Sequence, residues 1–170
     1  FLGNSHTEFL KQHVAGLPNI VNRGITGDFT EGVLLRLEEI IRSNPKKIFI
    51  EIGTNDIIEK VPEHKIYENY EQIIARLTIE TPQTEIYIQS IFPCALEGSL
   101  ITSRENINAR ILRVNEELKL LAKKYDLHYI NLYDKLAENN SLRSDLNADG
   151  VHLNKKGYSI WMEEIKKQLN

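Results

Sequence analysis

Short β-type runs alternate with helix-period runs along the whole chain. The predicted strands are Phe1-Leu2-Gly3, Asn19–Asn22, Lys47–Ile52, Glu85–Ser90 and His128–Leu132. Ile48-Phe49-Ile50-Glu51-Ile52 and Ile86-Tyr87-Ile88 are rich in β-branched and aromatic residues and bounded by turn residues, as parallel strands covered on both faces tend to be. Between the strands, apolar residues recur at helical spacing. Val33, Leu34, Leu37, Ile40 and Ile41 form one stripe, with a start at Thr30 and a stop at Ser43-Asn44-Pro45. Ile107, Ile111, Val114, Leu118 and Leu121 form a second, and Tyr158, Trp161, Met162, Ile165 and Leu169 a third. Such stripes are core surfaces that pack on a sheet, so no ligand role follows from them. The alternation predicts a three-layer α/β fold with a mainly parallel five-stranded sheet, one domain over residues 1–170. The longest stretch without periodicity, Ile91–Ser103, is the candidate functional loop.

Composition narrows the functional classes. A net charge of −3 offers no general attraction to phosphate backbones, so nucleic acid is not an expected partner. No apolar run approaches the roughly 20 residues that span a bilayer, so no integral membrane segment is expected. Cys94 is the single cysteine, which excludes an internal disulfide, and it reads as a small buried hydrophobe. Phe1-Leu2-Gly3 reads as the end of a strand with no initiator Met before it. The expectation is therefore that residues precede it, with a periplasmic or secreted location open should they include a signal.

In sheets of this kind ligands bind beyond the carboxyl ends of the strands. Four polar clusters stand in suitable places: Gly3-Asn4-Ser5-His6-Thr7-Glu8, Asn22-Arg23-Gly24-Ile25-Thr26-Gly27-Asp28, Gly53-Thr54-Asn55-Asp56, and Asp149-Gly150-Val151-His152 before the last helix. Acyl transfer by a serine needs a base for the hydroxyl proton, an acid to orient that base, and donors for the developing oxyanion. Ser5 at a strand-to-helix turn is the candidate nucleophile, His152 the candidate base, and Asp149, three residues earlier, its orienting acid. The Ser5 N–H, the Gly24 N–H and the Asn55 side-chain amide are the candidate oxyanion donors. Singly, Ser5 reads as a helix N-cap, Gly24 and Asn55 as turn residues, and His152 as a loop histidine. Jointly they read as a site.

On these four blocks, present in order over essentially the full length, the sequence resembles the SGNH hydrolases, or GDSL esterases and lipases. The resemblance implies a flavodoxin-like α/β/α sandwich and a Ser-His-Asp mechanism without metal or cofactor. It assigns Ser5, Asp149 and His152 to the triad, and Ser5, Gly24 and Asn55 to the oxyanion hole. The sequence is similar to the platelet-activating-factor acetylhydrolase-like branch and to bacterial carbohydrate acetylesterases, which implies a short acyl group, acetyl foremost, on a small-molecule ester such as an O-acetylated sugar. One departure is Asn4 where the family has Asp; an amide keeps an acceptor there and adds a donor.

The alternatives are a lysophospholipase or other lipid esterase, and a non-catalytic carbohydrate-binding module of the same fold. A flavin or nucleotide protein would need a glycine-rich phosphate cradle, and no such fingerprint follows any strand. Asp28 and Asp56 are expected to brace loops, and Arg23 to bond a neighbouring loop, with a substrate contact as its alternative. Asn108 and Asn115 are expected to face solvent or a loop, and His6 to have no functional role: beside Ser5 it could line the pocket, but adjacent side chains diverge, which makes it a poor base. His13, His64 and His128 receive no role, and no pair of histidines has the spacing of a metal site.

Overall fold

The computed structural model describes residues 1–14, 17–96 and 106–169. Its central sheet is parallel, with strand order β2-β1-β3-β4-β5. The strands are β1 (Leu2–Gly3), β2 (Arg23–Gly24), β3 (Lys47–Glu51), β4 (Glu85–Gln89) and β5 (His128–Ile130). The helices are α1 (Ser5–Phe9), α2 (Lys11–Val14), α3 (Thr30–Leu35), α4 (Leu37–Ser43), α5 (Thr54–Ile58), α6 (Glu63–Glu80), α7 (Ile107–Lys124), α8 (Tyr133–Leu136) and α9 (Lys155–Lys166). A short antiparallel hairpin, β6 (Ala137–Glu138) with β7 (Ser141–Leu142), stands apart from the sheet.

Alternation along β3 and β4 creates the layers, because successive side chains point to opposite faces. Ile48, Ile50, Ile86 and Ile88 pack with Val33, Leu37, Ile73, Ile111 and Leu118, so α3, α4, α6 and α7 cover one face. Phe49 and Tyr87 pack with Leu10, Val14, Tyr158, Trp161 and Ile165, so α2 and α9 cover the other. The expected three-layer sandwich with a parallel sheet is therefore the observed fold, and the order 2-1-3-4-5 is the flavodoxin-like one.

Three local expectations differ from the structure. The second strand is Arg23–Gly24 rather than Asn19–Asn22. Asn19 adopts a left-handed φ of 61°, and the Asn22 side chain is spent on Thr7 O and Gly24 N, so the chain straightens only at Arg23. The Val33–Ile41 stripe is broken into α3 and α4 at Arg36, whose guanidinium reaches Asp28 and the Gly3 carbonyl. Leu169 lies beyond α9 and is exposed rather than part of its buried stripe. The helix stop at Ser43-Asn44 is observed, with Asn44 left-handed at φ 42°.

Candidate active site

The candidate nucleophile, Ser5, stands at the tight junction of β1 and α1. Gly3 pairs with both Gly24 and Glu51, and a Cβ on it would collide with the Glu51 carbonyl oxygen and Thr7 Oγ1, so only glycine fits. Asn4 then caps α1, its side-chain oxygen accepting the His6 N–H at 2.9 Å. Ser5 follows as the first helical residue, almost buried, and its own N–H is bonded to none of the described residues.

The loop from Asn147 to Asn154 carries the candidate base and acid, His152 and Asp149. It is pinned at its ends by the Asn147–Leu153 bridge and by Asn154, which caps α9. Gly150 turns with φ 96° while its N–H donates to Asn147 Oδ1 at 2.7 Å. That turn lets Asp149 Oδ1 accept two backbone N–H bonds, from Val151 at 3.0 Å and His152 at 2.8 Å. Its other oxygen is 2.7 Å from His152 Nδ1, and His152 Nε2 is 2.9 Å from Ser5 Oγ. Since a carboxylate only accepts, Nδ1 carries the imidazole proton and Nε2 is left to accept from the Ser5 hydroxyl. Partial burial alone would raise the Asp149 pKa; the His152 N–H, its ring and the Val151 N–H together outweigh it and hold the carboxyl at about 2.

The candidate oxyanion donors are less uniform. The Gly24 N–H is already given to Asn22 Oδ1 at 2.9 Å, and a Cβ there would collide with Glu8 N and the Thr7 carbonyl carbon. Gly24 thus serves the close approach of β2 to α1. Gly27, three residues on, has φ 79°, open space around its Cα, and an N–H bonded to none of the described residues. Asn55 donates one N–H of its amide to the Asp28 carbonyl at 2.8 Å, beside Gly27 in the chain, and retains a second. Asp28 is held by Arg36, and Asp56 accepts from the Thr30 hydroxyl and N–H, so both carboxylates brace loops. Arg23 pairs with Glu39 on the surface, at the head of α4.

A family model described as the GDSL-like Lipase/Acylhydrolase family matches residues 2–160, a span that includes every residue of this constellation. The chain belongs to that family. A GDSL esterase/lipase of rice (Oryza sativa subsp. japonica), WDL1, is 24% identical across 89% of this chain, which matches only 65% of the rice protein's length. Among solved structures, a provisionally assigned platelet activating factor from Streptococcus pneumonia shares 31% identity with a TM-score of 0.85, over 100% of this chain and 82% of its own. An acetyl xylan esterase, AlAXEase, shares the fold at 20% identity with a TM-score of 0.78, over 100% and 98% of the two chains.

Several features of this GDSL-family chain were not visible in its motifs. Of the two places expected for Asn108 and Asn115, solvent or a loop, they take the loop: both are buried, and each side-chain amide clamps one backbone unit, Cys94 and Ile91 respectively, with paired bonds of 2.7–2.9 Å. Their spacing of seven residues on α7 was the available signal. They fix the start of the predicted functional loop; residues 97–103 of that loop lie outside the described residues. Cys94 is buried, and burial pushes its thiol up to about 12, which removes it from nucleophilic chemistry. Among the described residues no cluster of three His, Cys, Asp or Glu could hold a metal, and no helix is long and apolar enough to cross a membrane. His6 is buried, at 1% exposure, beneath the site.

Proposed function

We propose that this chain is a serine ester hydrolase in which Ser5, His152 and Asp149 carry out acyl transfer. The unbroken hydrogen-bonded sequence Ser5 Oγ–His152–Asp149, at 2.9 and 2.7 Å, is the observation that carries the reading. Ser5 Oγ attacks the ester carbonyl as His152 Nε2 takes its proton, and the same imidazole returns that proton to the departing alcohol. Water, activated by His152, then releases the acid from the acyl-serine. The Ser5 N–H and the second N–H of Asn55 are aligned with this reading as oxyanion donors. For the third donor the geometry favours the unpartnered Gly27 N–H over Gly24, whose N–H is occupied.

The alcohol must leave past His152, and the neighbour there is Phe9, 42% exposed with its ring centroid 5.2 Å from the imidazole. An exposed aromatic face suits the C–H face of a sugar ring, which supports an O-acetylated carbohydrate as substrate. A lipid ester is the second reading, favoured by the exposed Ile25 and Leu96, the latter packed next to Gly150. The first experiment is labelling with a fluorophosphonate and peptide mapping. Modification at Ser5, absent in Ser5→Ala together with a loss of roughly 10³-fold or more in p-nitrophenyl acetate turnover, is the expected result. A Ser5→Ala protein with wild-type turnover removes Ser5 from the mechanism.

A further inference from the structure

Directly below the triad lies a group of buried polar side chains that the acyl-transfer mechanism does not use. Glu51, at the end of the central strand β3, is 0% exposed, and neither of its carboxyl oxygens has a hydrogen-bond partner among the described residues. Its Oε2 lies 3.7 Å from His6 Nδ1, likewise without a hydrogen bond. Gln89, through its Nε2, is a third side chain with such an atom. Buried polar groups are almost always paired, so three together call for a physical reason.

Topology puts them side by side. Ile50 pairs with Ile88, so Glu51 and Gln89 sit one step further along adjacent strands and on the same face. Gly3, the partner of Glu51 on the other side, has no side chain, which lets α1 and its Thr7 pack close against the end of β3 and brings His6 over the sheet. Trp161 Nε1 donates to Gln89 Oε1 at 2.6 Å, which leaves the Gln89 NH₂ as a free donor. At the other end, His6 Nε2 is 3.0 Å from the carbonyl of Val151, the residue before His152. A carbonyl only accepts, so Nε2 bears the proton and a neutral His6 presents Nδ1 as an acceptor.

We propose that Glu51 is a neutral acid whose proton is given to His6 Nδ1, and that this pair is a positioning device for His152, acting through the Val151 carbonyl. Every bond in the chain then runs one way. Trp161 N–H gives to Gln89, the Gln89 amide to the Glu51 carbonyl oxygen, the Glu51 hydroxyl to His6 Nδ1, and His6 Nε2–H to Val151. A small movement of the Glu51 carboxyl closes the 3.7 Å gap. The charged alternative, imidazolium against carboxylate, would leave two ions in a dry site with too few bonds to repay their desolvation. Burial, foremost among the causes, raises the Glu51 pKa to about 8 and lowers the His6 pKa to about 4, the directions a neutral pair requires. The other ionisable groups that act on His6 are His152 and Asp149 from the catalytic loop. Those in reach of Glu51 are Tyr70 from α6, Cys94 and Tyr158 from α9, all three pushed upward and neutral.

When Glu51 ionises, its oxygens turn from donor to acceptor. His6 then moves its proton to Nδ1, loses the bond to Val151 and releases the loop, so kcat falls on the alkaline side near pH 8. The inference rests on the Ser5–His152–Asp149 reading only for its effect on rate. Ring ¹⁵N spectra of histidine-labelled protein, with His6 assigned by substitution, test the pair without substrate. At pH 7 the expected signature is a neutral His6 protonated at Nε2. Glu51→Gln, whose amide donates from the same place, should keep that signature, turn over near the wild-type rate, and lose the alkaline decline. Glu51→Leu, which supplies no donor, should lower kcat by roughly ten- to a hundredfold with little change in KM. An imidazolium His6 at pH 7 overturns the proposal, as does a Glu51→Gln enzyme that keeps the alkaline decline or is as slow as Glu51→Leu. Should Glu51→Leu fail to fold, the Glu51→Gln profile and the spectra still decide. Absence of fluorophosphonate labelling in the wild type would sink the triad reading and leave the ¹⁵N result standing.

Discussion

Replacing Asp149 by Asn is the most informative single perturbation of this site. Asp149 Oδ1 already accepts the Val151 and His152 N–H groups, so an Asn side chain would keep its oxygen there and turn its NH₂ toward His152. The amide would then donate to Nδ1, the ring proton would sit on Nε2, and Nε2 could no longer accept from Ser5 Oγ at 2.9 Å. The tautomer error is compounded by the loss of a negative charge 2.7 Å from the ring that becomes cationic in the transition state. Asp149 is 55% exposed, so solvent screens that charge. After screening the electrostatic part is about 1–2 kcal/mol, or roughly tenfold. With a buried aspartate, both effects together cost a serine triad about 10⁴ in kcat. For this half-exposed acid the expected loss is about 10²–10³. Initial rates on p-nitrophenyl acetate give kcat and KM, and thermal unfolding reports the fold. The acid is held down at about 2, below its unfolded value, so its contribution to stability is present above the ordinary carboxylate range and disappears as pH falls through about 2. Asp149→Asn should therefore unfold at a lower temperature than wild type near neutrality. An Asp149→Asn enzyme with near wild-type kcat and an unchanged pH profile would refute the assignment of Asp149 as the triad acid.

The oxyanion donor, the base and the buried acid each make a separate expectation. Asn55→Ala should lower kcat by about 10²–10³-fold with a smaller change in KM, because its amide acts mainly in the transition state; a change confined to KM would make Asn55 a ground-state contact. The acidic limb of kcat/KM should vanish with His152→Ala and persist, at reduced kcat, in His6→Ala. A limb centred near pH 4 that followed His6 would transfer the base role to it. Phe9→Ala should raise KM for an acetylated oligosaccharide and leave p-nitrophenyl acetate largely unaffected; equal effects on both would remove Phe9 from the alcohol side. Glu51 has a folded pKa raised to about 8, so the native state binds the extra proton and stability falls as pH rises from the ordinary carboxylate range through about 8. Glu51→Gln lacks that penalty, and its thermal advantage over wild type should be larger at pH 9 than at pH 5. An advantage that is constant with pH contradicts the raised pKa.

Much of this molecule is local in origin. The runs at Ile48–Ile52 and Ile86–Ile88 determine buried parallel strands because β-branched residues fit a covered pleat whatever lies beyond them. The i, i+3, i+4 stripe of Ile111, Val114, Leu118 and Leu121 determines α7 in the same way. Asp149-Gly150-Val151-His152 is nearly self-contained, since a glycine turn and two backbone N–H bonds aim the carboxylate at a ring three residues away. Other features belong to the assembled fold. The edge strand settled at Arg23–Gly24 because pairing with Leu2–Gly3, and the packing of Gly24 on α1, outweighed the short apolar pair Ile20-Val21. That same packing spends the Gly24 N–H on Asn22, which no pattern of glycines along the chain could announce. For Asn108 and Asn115 the helix pattern leaves solvent or a loop open, and the segment after β4 decides it by passing over them and supplying backbone partners. Glu51 and His6 lie 45 residues apart and become one unit only when β1 and β3 pair. The division is physical: period and turn chemistry act over a few residues and are written in order along the chain. A hydrogen bond between distant segments depends on which donors and acceptors remain free once those segments have packed.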